Sequence, residues 1–190
     1  MILDEATLYL NEMKLAMDWL GNKKKVYFIG QTVEYEGSPT FKSLRDVPPK
    51  KKIEMPVAEN MQMGISLGMA IEGLMPVSVF PRMDFLICGT DQLVNHINHC
   101  EEMSNGIFKP GIIIRTGIGN TYPLYPGVQH CSDYTEALKL MCPNIKIVKL
   151  ETSKDVVKEY QAAYRRAKEG ITTILIELPL GGVNPNAYRK

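Results

Sequence analysis

Two side chains stand where acid–base chemistry is feasible, Glu59 and His130. Glu59 opens an apolar-periodic run that predicts a helix at about 59–72. A carboxylate there is favoured by the helix amino-terminal dipole, so on its own it needs no catalytic explanation. His130 follows a stretch rich in Gly, Pro and Tyr, 116–130, which reads as a loop. A lone loop histidine is usually just solvated, and position alone assigns it no role. His96 and His99 lie three apart on a predicted helix, with Cys100 and Cys131 as companions. Zinc would need a fourth ligand and tighter pairing, so we assign no metal site. Gly117-Ile118-Gly119 lacks the third glycine of the dinucleotide fingerprint.

The elements that must hold these residues follow from apolar patterning. Residues 4–20 suit an amphipathic helix, and Val26-Tyr27-Phe28-Ile29 is a short buried strand closed by Gly30. Residues 31–55, with Gly37, Pro39, Pro48 and Pro49, read as one long loop; such a loop inside a compact domain is usually functional or covered. After the helix at 59–72 come a strand at 76–80, a helix at about 86–103, a strand at 111–115, a helix near 132–141 and a strand at 145–148. The last helix is marked by Thr152 and Asp155 as a capping box and by Gly170 as its stop, and a strand at 173–178 follows. Strands alternating with helices, without hairpin signals, predict an α/β three-layer sandwich, its mainly parallel sheet covered on both faces. Ligands then sit at the carboxyl ends of the strands, in the loops after Ile29, before Glu59, after Phe80 and after Arg115.

At 190 residues and 45% apolar content the chain fits one domain, 1–190, with a sizeable core. A net charge of +1 points to no nucleic-acid partner, and the runs Lys23–Lys25 and Lys50–Lys52 read as solvated loops. The four cysteines show no C-x-x-C spacing and suit free thiols in a reducing compartment. Charge interrupts every long apolar stretch before it reaches a membrane span, and no signal segment opens the chain, so the expected location is cytoplasmic.

The segment Pro56-Val57-Ala58-Glu59-Asn60-Met61-Gln62-Met63-Gly64-Ile65-Ser66-Leu67-Gly68-Met69-Ala70, followed by Glu72-Gly73-Leu74-Met75-Pro76-Val77, is diagnostic. It resembles the signature of the pyrimidine-binding domain of thiamine-diphosphate enzymes, as in the beta subunits of 2-oxoacid dehydrogenases and in transketolase. The similarity continues through Phe28-Ile29-Gly30-Gln31, Gly37 through Phe41, Asp84-Phe85, Asp91-Gln92 with Asn95, Ile114-Arg115, Gln129-His130 and Pro143-Asn144. Each block is weak alone; their order and spacing together are specific and cover nearly the whole chain.

The resemblance implies that Glu59 hydrogen-bonds a ring nitrogen of the cofactor's aminopyrimidine, favouring the imino tautomer that deprotonates the thiazolium carbon. The resulting carbanion attacks the carbonyl of a 2-oxoacid or ketose-like substrate. Such a role needs a carboxyl group that holds a proton near neutral pH, which removal from water favours. By the same resemblance Phe85 stacks on the pyrimidine, as an aromatic face suits, while Phe80 reads as core. Val57 and Gln31 line the cofactor, His130 faces the reacting substrate, and the Gly64/Gly68 face packs on a second subunit. Gln31 stands where many relatives carry an acidic residue; it can still hydrogen-bond Glu59 or an ordered water but carries no charge. Met61 and Ser66 replace smaller residues. Arg82 is unusual at its position, and two readings stay open: it reads an anionic substrate, or it pairs with Asp84.

The 190 residues contain no Gly-Asp-Gly segment followed by asparagine, the family's device for magnesium and diphosphate, and no carboxy-terminal domain. The expectation is therefore half of an active site, active only with a separate diphosphate-binding chain that holds the magnesium, with two copies of each. Competing readings are a transketolase-like or acyloin-type transferase subunit, a non-catalytic regulatory subunit that kept the fold, and an unrelated nucleotide-binding domain, which lacks a phosphate fingerprint.

Overall fold

The computed structural model describes residues 4–121 and 125–179. Six parallel strands, β1 (Val26–Gly30), β2 (Lys52–Glu54), β3 (Met75–Val79), β4 (Ile113–Gly117), β5 (Lys146–Leu150) and β6 (Thr173–Glu177), form one sheet in the order β2-β1-β3-β4-β6-β5. Helices α1 (Glu5–Gly21), α2 (Pro39–Leu44), α3 (Glu59–Ile71), α4 (Met83–Leu86), α5 (Cys100–Met103), α6 (Thr135–Met141) and α7 (Ser153–Lys168) connect them. No helix among the described residues is long and apolar enough to cross a membrane.

Strand alternation divides the core into two layers, because successive side chains leave opposite faces. Ile113 and Leu175 join Met13, Leu20, Val77 and Tyr160 under α1 and α7. Ile112, Ile114, Ile174 and Ile176 join Met63, Phe80, Leu93 and Leu138 on the other face. The parity places Arg115, in the middle of β4, and Glu177, at the end of β6, on the α1/α7 face. The expected capping box of α7 forms: Asp155 accepts from both the backbone N–H and the hydroxyl of Thr152, each at 2.9 Å.

Three expectations are corrected. Residues 31–55 are not one loop. Ser38 Oγ caps α2 by accepting from Phe41 N–H at 2.9 Å, and Lys52–Glu54 adds an edge strand to β1. The helix expected at 86–103 is broken into α4, a 3-10 turn at Ile87–Gly89, a π turn at Asp91–Ile97 and α5. Gly89 lies against α3, where a Cβ would come 3.2 Å from the Glu59 carbonyl oxygen and 2.9 Å from Met63 Cγ, so this stretch is shaped by its neighbour. The strand expected at 111–115 lies at Ile113–Gly117 instead, because pairing with β3 and β6 begins at Ile113, while Gly111 passes close against the Ala167 backbone at the end of α7.

After β1 the chain takes its next strand, β2, to one side, and β3 then pairs on the other. The carboxyl ends of β1 and β3 therefore form a topological switch point, where open α/β sheets bind ligands. Gly30 closes β1 here because a Cβ would collide with the Val79 carbonyl of β3.

Candidate active site at the switch point

Gln31 leaves the end of β1, and Glu59 begins α3 beside it. Gln31 Nε2 donates to Glu59 Oε1 at 2.9 Å, the hydrogen bond expected of an uncharged residue at that position. Glu59 is only 8% exposed. No hydrogen bond engages its Oε2 among the described residues, so a nine-tenths buried carboxyl group keeps one oxygen for a ligand. Helix amino-terminal N–H groups surround that position with positive potential.

Gln62, one turn along α3, was not singled out from sequence, yet it fixes Glu59 in place. Its fully buried amide Nε2 reaches Ile29 O at 3.3 Å, Ser78 Oγ at 3.1 Å and Val79 O at 3.0 Å, pinning α3 onto the ends of β1 and β3. The available signal was a long polar side chain three residues after Glu59, on the face that packs on the sheet. Glu54 holds the turn that follows Gln31: its Oε1 accepts from Thr32 N–H at 2.6 Å and its Oε2 from Glu34 N–H at 2.7 Å.

Phe85 on α4 and His130 in the 3-10 turn Val128–His130 meet edge to face, ring centres 5.5 Å apart at 89°. The structure thus brings together two residues 45 positions apart in sequence. Both are half-buried, and His130 Nδ1 is buried without a hydrogen-bond partner among the described residues. Phe80, by contrast, is in the core. Val57, just before α3, is 81% exposed, and Met61, Ile65 and Gly68 continue that exposed face.

Arg82 does not pair with Asp84, whose Oδ2 accepts from Ser132 N–H at 3.3 Å. His96 lies 4.0 Å from Asp91 and His99 3.4 Å from Glu102; among the described residues no group of three or more His, Cys, Asp or Glu is placed to hold a metal.

A second polar centre lies on the α1/α7 face. Arg115 Nε and Nη2 clasp both oxygens of Glu177, and Nη1 donates to Ser43 Oγ at 2.7 Å. Burial works against the Arg115 charge, but the Glu177 carboxylate outweighs it and holds the guanidinium pKa above its ordinary value. This pair ties β4, β6 and α2 together behind the switch point.

Residues 12–179 match the model of the transketolase pyrimidine-binding domain. The pyruvate dehydrogenase E1 component subunit beta of Gracilaria tenuistipitata var. liui is 31% identical over 137 residues, covering 69% of this chain and 41% of that protein. The mitochondrial E1 subunit beta of Ascaris suum is 30% identical over 129 residues, 65% of this chain and 34% of that one. The chain thus spans about two-fifths of the length of the curated relatives it matches. In fold it is similar to a split-gene transketolase described as an inactive beta4 tetramer, with TM-score 0.67, 17% identity, and coverage of 93% of this chain and 52% of that one. It is also similar to a thiamin diphosphate-dependent enzyme from Mycobacterium smegmatis, with TM-score 0.59, 16% identity, and coverage of 90% and 33%. With 168 of its 190 residues inside the family match, the chain belongs to the transketolase pyrimidine-binding domain family.

Proposed function

We propose that this chain supplies the pyrimidine side of a thiamine-diphosphate site in an enzyme acting on the carbonyl of a 2-oxoacid. The observation that carries the reading is the buried Glu59 carboxyl group at the switch point, bonded through one oxygen to Gln31 and open at the other. That arrangement suits a ring nitrogen, and the identity to pyruvate dehydrogenase beta subunits supports the 2-oxoacid class. When bound, the cofactor supplies a thiazolium carbon that attacks a carbonyl.

The residues of this chain then have separable tasks. Because Oε1 accepts from Gln31, a proton carried by Glu59 resides on Oε2, where a pyrimidine nitrogen can share it. Phe85 offers its ring to the pyrimidine while its contact with His130 orients the imidazole. His130 moves or holds a proton at the substrate. Val57 adds apolar surface at the mouth.

We assign magnesium and the diphosphate to a separate chain, two copies of each assembling together. The Val57, Met61, Ile65 and Gly68 face is the surface proposed for that assembly. A Cβ at Gly68 meets nothing within 4 Å, and one at Gly64 only touches Gln92 at 3.5 Å, so packing within the chain requires neither glycine. Gly68→Ala is therefore expected to stabilise the isolated chain, by up to about 1 kcal/mol from helix propensity. The same change should weaken assembly in sedimentation with the partner. Unchanged assembly would remove α3 from the interface.

The test of cofactor contact compares Phe85→Ala with Phe80→Ala by calorimetric titration of thiamine diphosphate into the assembled enzyme with magnesium. Phe85→Ala is expected to weaken binding about tenfold, the value of a lost aromatic stack. Phe80→Ala should instead lose about 3–5 kcal/mol of stability. Equal cofactor affinities in folded proteins would refute the assignment of Phe85.

A further inference from the structure

Beside the switch point, on the α1/α7 face, lies a cavity of about 440 Å³ whose walls include Thr32, Ser43, Arg82, Arg115, Asn120 and Glu177. Its charges do not cancel. Arg115 is committed to Glu177 and Ser43. No carboxylate among the described residues lies within salt-bridge distance of Arg82, and Asp84, its nearest acidic neighbour in sequence, bonds Ser132 instead. The cavity wall therefore carries one net positive charge, on a half-buried guanidinium.

Thr32 provides an independent observation. Its φ is 63°, a left-handed conformation that β-branched residues rarely adopt. Its Oγ1 has no accessible surface and no hydrogen-bond partner among the described residues. The Glu54 carboxylate holds the strained turn through the N–H groups of Thr32 and Glu34. Backbone strain held in this way clusters at ligand sites, and Thr32 forms part of the cavity wall.

The cavity adjoins the proposed reaction centre at two points. Thr32 follows Gln31, which bonds Glu59. Gly119 separates Arg82 from His130: a side chain there would collide with both the Arg82 guanidinium and the His130 carbonyl.

We propose that Arg82, in the cavity wall beside the strained turn at Thr32, forms a specificity subsite that takes the single carboxylate of a small carbonyl substrate. The proposal rests on the thiamine-diphosphate reading and narrows it to a substrate with one acidic group. A planar guanidinium matches a carboxylate with two parallel N–H donors. One net positive charge balances a carboxylate monoanion and leaves a phosphate dianion half compensated.

The test is titration of the full chain with pyruvate as probe, followed by amide and arginine side-chain NMR, with inorganic phosphate and the neutral amide pyruvamide in parallel. Pyruvate should bind saturably and shift the signals of Thr32 and Arg82, and pyruvamide should not. Arg82→Gln should weaken pyruvate binding about ten- to a hundredfold, as expected for hydrogen bonds to a charged group. Arg82→Lys should recover part of that loss, since the charge is kept while the paired donors are not. The same spectra report whether each variant is folded. Absence of saturable binding, equal affinity in parent and Arg82→Gln, or preference for phosphate over pyruvate would overturn the proposal. Pyruvate binding here requires no cofactor, so such a failure would leave the Glu59 reading standing, whereas failure of the Glu59 test would remove the reaction that the subsite is proposed to serve.

Discussion

An Arg115→Met chain is expected to unfold at a much lower denaturant concentration than the parent, having lost about 3 kcal/mol. The Arg115 side chain is almost inaccessible, and all its hydrogen bonds go to Glu177 and Ser43. Methionine fills similar volume but leaves the Glu177 carboxylate without its cation and Ser43 without its donor. Breaking a buried pair from one side typically costs about 3–5 kcal/mol. The Glu177 side chain keeps 22% of its surface, so water screens part of the loss and the lower end applies. A second substitution, Glu177→Leu, should restore most of the stability, because two apolar groups replace two compensated charges. Urea titration followed by circular dichroism measures both. A loss below about 1 kcal/mol for Arg115→Met would show the pair to be screened like a surface ion pair. The consequence reaches the site, since Ser43 belongs to α2 in the segment that returns from Gln31 and Thr32.

Sequence disclosed those parts of the molecule whose physics is local. The central strands β1, β3, β4 and β6 are short apolar runs because a sheet covered on both faces buries both their sides. The Thr152/Asp155 box marks the start of α7 within three residues. Short elements were hidden for the opposite reason. α2 has six residues and β2 three, too few to show a period, and β2 exists by pairing with β1. In the 86–103 stretch, Leu86, Leu93 and Ile97 keep helical spacing, but the contact of Gly89 with the start of α3 is tertiary and leaves no mark in the pattern.

The site divides in the same way. Glu59, Gln31, Phe85, His130 and Val57 were reached through family resemblance, since nothing local distinguishes Glu59 from an ordinary helix-start carboxylate. The structure joins Gln31 to Glu59 and Phe85 to His130. The Arg115–Glu177 pair spans 62 residues and follows from strand order and register. Its members could not be matched before β4 and β6 were known to be neighbours. The Gln62 clamp is likewise a property of where α3 lands on the sheet.

Glu59→Gln is expected to leave the fold intact while removing its proton chemistry. Glutamine is close in shape, and the clamp that seats α3 belongs to Gln62 rather than to residue 59. The amide at residue 59 can still meet Gln31, but it cannot hand a proton to a ring nitrogen. Loss of an acid–base group costs about a hundred- to ten-thousandfold in rate. The most direct measurement is exchange of the cofactor's thiazolium proton for deuterium, by rapid quench and NMR, in the assembled enzyme with magnesium. A Glu59→Gln rate lower by that factor, with cofactor still bound and the protein folded, is the predicted result; a rate equal to the parent's would contradict the account.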